Sequence, residues 1–109
     1  MPVIAIKDDG DFDVKFKNAG DKLIVVDFTA TWCGPCKMIA PTFEELSNMF
    51  TDVVFLKVDV DECEGVCEKY KVSSMPTFLF FKKGAKVDNF SGANAGKLAT
   101  LVEKYSQTA

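Results

Sequence analysis

Leu23-Ile24-Val25-Val26-Asp27-Phe28-Thr29-Ala30-Thr31-Trp32-Cys33-Gly34-Pro35-Cys36-Lys37 is the stretch on which the fold turns. Leu23 to Thr29 is apolar or β-branched at every position but Asp27, the pattern of a central strand covered on both faces. Beyond the two cysteines, Ile39, Phe43, Leu46 and Phe50 recur at i, i+4, i+7 and i+11, one stripe of a helix that begins at Gly34 or Pro35. Pro41 falls inside that stripe, where it removes a backbone hydrogen bond, so a kink is expected. The Cys-x-x-Cys segment therefore sits where a buried strand hands over to a helix.

The flanking sequence alternates the same two periods. Val3 to Ile6 reads as a short strand, and Phe12, Phe16 and Ala19 mark a helix behind the candidate caps Asp8 and Asp9, ending at Gly20. Val53 to Val58 is the next strand, interrupted by Lys57, and a short helix from Glu62 to Tyr70 follows, with Asp61 and Glu64 at capping-box spacing. Thr77 to Phe81 and Lys86 to Phe90 flank Lys82-Lys83-Gly84-Ala85, a hairpin loop. Asn94 then caps a last helix that buries Leu98, Leu101, Val102 and Tyr105. The order β-α-β-α-β-α-β-β-α makes the chain α/β, a central mixed sheet with helical crossovers between parallel strands and one antiparallel hairpin. With 109 residues and no repeat or linker, residues 1–109 are expected to form a single domain.

Composition removes much chemistry. There is no histidine, and all 13 basic residues are lysine, so His-dependent nucleophile pairs, histidine metal ligands and forked arginine clamps are absent. A net charge of −3 offers no basic footprint for nucleic acid. The opening Met1-Pro2-Val3-Ile4-Ala5-Ile6 is too short for a signal-peptide apolar region, and no run approaches a membrane span, so an intracellular, cytoplasmic chain is expected. Four cysteines are too few for a disulfide scaffold, and in a reducing compartment thiols serve catalysis or metals.

A thiolate in the first turn of a helix faces unsatisfied N–H groups and the positive end of the helix dipole, which lower its pKa. Cys33 holds that place and is the expected nucleophile. Cys36, one turn on, lies within reach and is the expected resolving thiol. A bare Cys-x-x-Cys fits a redox pair or half a zinc site equally well, and the strand–helix context favours the redox pair. Asp27 is costly in an apolar strand unless neutral or paired. It is either a satisfied structural group or an acid whose raised pKa lets it exchange a proton with Cys36.

The sequence resembles the thioredoxin family, in particular its cytosolic animal members. Val26 to Met38 around the dithiol, Phe55-Leu56-Lys57-Val58-Asp59-Val60-Asp61, Met75-Pro76-Thr77-Phe78 and Phe90-Ser91-Gly92-Ala93-Asn94 carry the likeness in order, over essentially the whole chain. The resemblance implies a general protein disulfide reductase with no bound cofactor, re-reduced by an NADPH-dependent thioredoxin reductase. It gives Cys33 the attack, Cys36 the resolution and Asp27 the proton transfer. It also implies that Lys57 neighbours Asp27 and favours its ionised form, opposing desolvation, and that Gly34-Pro35 tunes the dithiol. Met75-Pro76 would be a cis-proline loop, and Trp32, Gly92 and Ala93 would complete an apolar rim that receives substrate peptides; alternatively, Trp32 is a core residue. Where some animal relatives carry a cysteine next to Met75, this chain has Ser74, so no covalent dimer forms there and a monomer is expected.

Two other readings stand beside this one. Cys33, Cys36, Cys63 and Cys67 could form a tetrathiolate zinc site, although 26 residues separate the pairs and the second is C-x₃-C. The dithiol could instead be a switch in a subunit that binds another protein. Cys63 and Cys67 read best as two partly buried structural thiols.

Overall fold

A computed structural model describes residues 3–107. The ends of the expected domain, 1–2 and 108–109, lie outside the described residues. The elements follow in the order β1 (Val3–Ala5), α1 (Asp9–Asn18), β2 (Ile24–Thr29), α2 (Gly34–Met49), β3 (Val54–Asp59), α3 (Glu64–Lys69), β4 (Thr77–Lys82), β5 (Ala85–Ser91) and α4 (Ala95–Ser106). The five strands form one sheet in the order β1-β3-β2-β4-β5. β1 and β2 run parallel to β3, while β4 runs antiparallel to β2 and β5. The crossovers through α1 and α2 join parallel strands as expected, but the connection through α3 does not: β4 enters the sheet beyond β2 and antiparallel to it, and the hairpin then adds β5 antiparallel to β4.

β2 lies at the centre, and all six of its residues are buried. Alternation of side chains sorts it between two cores. Ile24, Val26 and Phe28 join Phe12, Leu56, Val58, Leu79 and Phe81 on the face covered by α1 and α3. Val25 joins Ile39, Phe43, Phe55, Phe78, Phe80, Leu98 and Val102 on the face covered by α2 and α4. Burying each large apolar side chain contributes roughly 1.5–3 kcal/mol, so this double cover is the main stabilising force. The same alternation turns Asp27 toward α2.

Several local expectations need correction. Asp8 is the N-cap of α1, its side chain accepting from Asp11 N–H, but Asp9 does not share that role. α3 starts at Glu64, later than expected, with Cys63 at its N-cap, because Asp61 is engaged elsewhere and supplies no cap. The hairpin loop shortens to Lys83-Gly84, with φ of 53° and 78°. Positive φ at both central residues gives the turn whose twist matches the flanking strands. Pro41 stands inside α2 and the helix continues through it to Met49, ending before Phe50. Asn94 caps α4 as read, accepting Lys97 N–H at 3.0 Å.

Candidate active site

The C-terminal end of β2 delivers Ala30, Thr31 and Trp32 to the start of α2, and the dithiol lies at that junction. Cys33 is the N-cap residue, with extended backbone, and its Sγ accepts the Cys36 N–H at 3.2 Å. A cap normally comes from a hydroxyl or carboxylate oxygen; here sulfur fills it, so the Cys33 sulfur faces a helix donor. Cys33 and Cys36 are joined by a disulfide across a Cα separation of 5.3 Å. Both cysteines are buried, Cys33 at 5% exposure and Cys36 at 2%. Ala30, Val60 and Met75 pack around the pair.

The Met75–Pro76 peptide is cis, and Met75 C=O lies 3.8 Å from Cys33 Sγ. Pro76 C=O accepts Gly92 N–H at 2.9 Å, tying this loop to the turn after β5. Gly92 has a φ of 102°, a conformation that side-chain-bearing residues rarely adopt, so glycine at 92 is a backbone requirement. Gly92 and Ala93 are exposed beside the loop, as are Gly34 and Pro35 at the helix start.

Trp32 is not a core residue, for it is 64% exposed. Its indole N–H donates to Asp61 Oδ2 at 3.0 Å, and Asp61 N–H donates to Asp59 Oδ1 at 2.8 Å. The loop after β3 therefore anchors the ring. Sequence reasoning missed Asp61 as a site residue because its spacing to Glu64 imitates a helix cap.

Behind the dithiol, a cleft of about 610 Å³ is lined by Asp27, Cys36, Lys57, Thr29, Ala40 and Phe43, among others. That is room for several waters. Asp27 is 3% exposed, and among the described residues its Oδ1 is the buried side-chain polar atom without a hydrogen-bond partner. Strand register sets Asp27 directly beside Lys57 on β3, confirming the neighbour relation. Burial drives the Asp27 pKa up to about 7, with the Lys57 charge pulling in the opposite direction. Desolvation wins because Asp27 is enclosed while Lys57 is an exposed residue.

Cys63 and Cys67 lie apart from this site as free thiols, Cys63 in the core under α1 and α3 and Cys67 half-buried against it. Among the described residues no cluster of three or more His, Cys, Asp or Glu side chains could hold a metal ion, so the four cysteines are not gathered as a tetrathiolate site requires. Cys67 N–H donates to Cys63 C=O at 3.1 Å, which preserves helical i, i+4 spacing between them. Such spacing puts Cβ atoms about 5–6 Å apart, beyond the roughly 3.5–4.5 Å a disulfide requires. Peptide mapping of mildly oxidised protein should find the Cys33–Cys36 bridge alone. A stoichiometric Cys63–Cys67 bridge with unchanged helical content would contradict this.

Among the described residues no helix is long and apolar enough to cross a membrane. The Thioredoxin family profile matches residues 3–104. Thioredoxin from Equus caballus is 58% identical over 92 residues, which is 84% of this chain and 88% of that protein. Thioredoxin from Callithrix jacchus is 60% identical over 87 residues, 80% of this chain and 83% of that protein. Among solved structures, the reduced thioredoxin pre-protein of Schistosoma mansoni superposes with a TM-score of 0.90 at 48% identity, covering 94% of this chain and 97% of that one. Likeness in sequence and in backbone thus converges on one family, and the chain belongs to the thioredoxin family of protein disulfide oxidoreductases.

Proposed function

We propose that the chain reduces protein disulfides through a two-step exchange in which Cys33 attacks and Cys36 resolves. The observation that carries this reading is the Cys36 N–H donated to Cys33 Sγ at the first turn of a sixteen-residue helix. In the reduced protein that donor and the helix dipole favour the Cys33 thiolate. The thiolate attacks one sulfur of a substrate disulfide, forming a mixed disulfide and expelling the other substrate sulfur, which takes up a proton. Cys36 then loses its proton and attacks Cys33 Sγ, releasing the second substrate thiol and leaving the Cys33–Cys36 disulfide. Two electrons and two protons pass from the dithiol to the substrate.

Asp27 accepts the Cys36 proton through the cleft they share, and its pKa near 7 suits transfer near neutral pH. Lys57, Gly34 and Pro35 tune this machinery. The first does so through its charge on Asp27, the other two by fixing the helix start.

Trp32, Met75, Pro76, Gly92 and Ala93 form the surface onto which a substrate peptide lies. An exposed indole beside the backbone of Met75 and Gly92 suits an extended peptide of variable sequence. A thioredoxin reductase drawing on NADPH returns the electrons, the chain itself holding no cofactor. It works in the cytoplasm as a monomer, one domain over residues 1–109, on disulfide-bearing proteins. The deciding experiment is turnover of a protein disulfide such as insulin with NADPH and a thioredoxin reductase. Sustained NADPH oxidation that depends on both the chain and the disulfide is expected. A chain acting only as a redox-switched binding subunit would give a single oxidation equivalent and stop.

A further inference from the structure

α3 begins without a cap of its own. Cys63 occupies the N-cap position and its side chain makes no capping hydrogen bond. The donors of the first turn are taken by the first residue of α1 instead. Asp9 Oδ2 accepts Gly65 N–H at 3.2 Å, and Asp9 Oδ1 accepts Val66 N–H at 2.9 Å. The fit is close enough that a Cβ at position 65 would lie 2.6 Å from Asp9 Oδ2, so glycine there leaves room for the carboxylate.

Two thiols flank the turn that Asp9 closes. Cys63 is fully buried at its start, and Cys67 is half-buried one turn on. We propose that Asp9 is a latch between α1 and α3 that confines the chain's disulfide chemistry to Cys33 and Cys36, holding the first turn of α3 closed over Cys63 and keeping negative charge beside both thiols. The thiolate is the reactive form of cysteine, so a closed turn and a nearby carboxylate act in the same sense. Burial first, and then the Asp9 charge, push the Cys63 thiol up to about 11 and raise Cys67 as well. Asp8, Asp59, Asp61 and Glu64 add smaller contributions of the same sign to one thiol or the other. A protein whose work is thiol exchange thereby carries a second pair of thiols that does not take part.

The test is alkylation of the fully reduced protein by iodoacetamide, in which the thiolate sulfur displaces iodide, with each cysteine followed by peptide mass mapping. Amide hydrogen exchange at Gly65 and Val66 reports the latch itself. Asp9→Ala should raise alkylation at Cys63 and Cys67 roughly five- to thirty-fold, the factor that losing one helix cap makes in a local opening equilibrium. Gly65→Ala keeps the charge but displaces the carboxylate, so it should speed exchange at Val66 by a similar factor with a smaller gain in alkylation. Asp9→Asn keeps the shape and one acceptor, and should fall between wild type and Asp9→Ala. Reduction of insulin by Cys33 and Cys36 should be unchanged in all three. Wild-type alkylation rates in Asp9→Ala would overturn the proposal. Should that variant lose its fold, unchanged exchange at Val66 in both Gly65→Ala and Asp9→Asn would overturn it instead.

Discussion

Cys36→Ser is expected to accumulate on its substrates as a covalent complex, while Cys33→Ser captures none. Both substitutions should abolish turnover, lowering disulfide reduction by orders of magnitude, yet they fail at different steps. Cys33 is the residue whose sulfur accepts a helix N–H and whose carbonyl partner loop, Met75-Pro76, faces the reacting bond. Replacing its sulfur by a hydroxyl leaves no thiolate at the helix terminus, so nothing attacks. Cys36 is almost fully enclosed, which suits a thiol whose target is its neighbour rather than a protein arriving from outside. With serine there, attack by Cys33 proceeds but the mixed disulfide has no internal route to release. Non-reducing electrophoresis after mixing each variant with a disulfide substrate reads this directly. The Cys36→Ser complex should vanish on adding reductant. Equal capture by both variants would make the thiols interchangeable, and capture by Cys33→Ser alone would reverse the assignment.

The central strand, its single acid and the dithiol at its end were legible because each is a local pattern: an apolar run, one exception, then a stripe of helical period. The order of elements followed for the same reason. What the sequence concealed depends on residues far apart in the chain. Asp61 shares spacing with Glu64 that predicts a helix cap, yet its carboxylate receives the Trp32 indole, a partner 29 residues away. The real cap of α3 comes from Asp9, across 56 residues to Gly65, and no window along the chain contains both. The sequence places Lys83 within a longer loop because lysine gives no sign of the left-handed backbone it adopts beside Gly84. The pairing of Asp27 with Lys57 needed strand register, which an apolar run does not specify on its own.

Asp27→Asn should stabilise the fold and slow catalysis at once, both effects growing with pH across the neutral range. The carboxyl titrates at about 7 in the folded chain against an ordinary value of 3.8. Between those two values the folded state holds a proton that the unfolded chain has released. Stability contributed by this group is therefore full below pH about 4, falls as pH rises, and is lost above about 7. Three units of difference correspond to about 4 kcal/mol, an upper figure because the amide that replaces the acid is itself buried and short of partners. The variant should therefore gain roughly 2–4 kcal/mol at pH 8 and little at pH 4, readable from denaturant midpoints at each pH. In the proposed mechanism the ionised carboxylate is the form that takes the Cys36 proton, so the wild-type rate should rise through pH 7. The variant should lose that inflection and run tenfold or more slower above it, within the usual reach of general-base catalysis. Lys57→Met removes the charge that holds the carboxyl down and should move the wild-type inflection to higher pH. A stability gain of equal size at pH 4 and pH 8 would show that Asp27 acts through packing rather than charge. Identical pH–rate profiles for Asp27→Asn and wild type would remove it from the proton transfer.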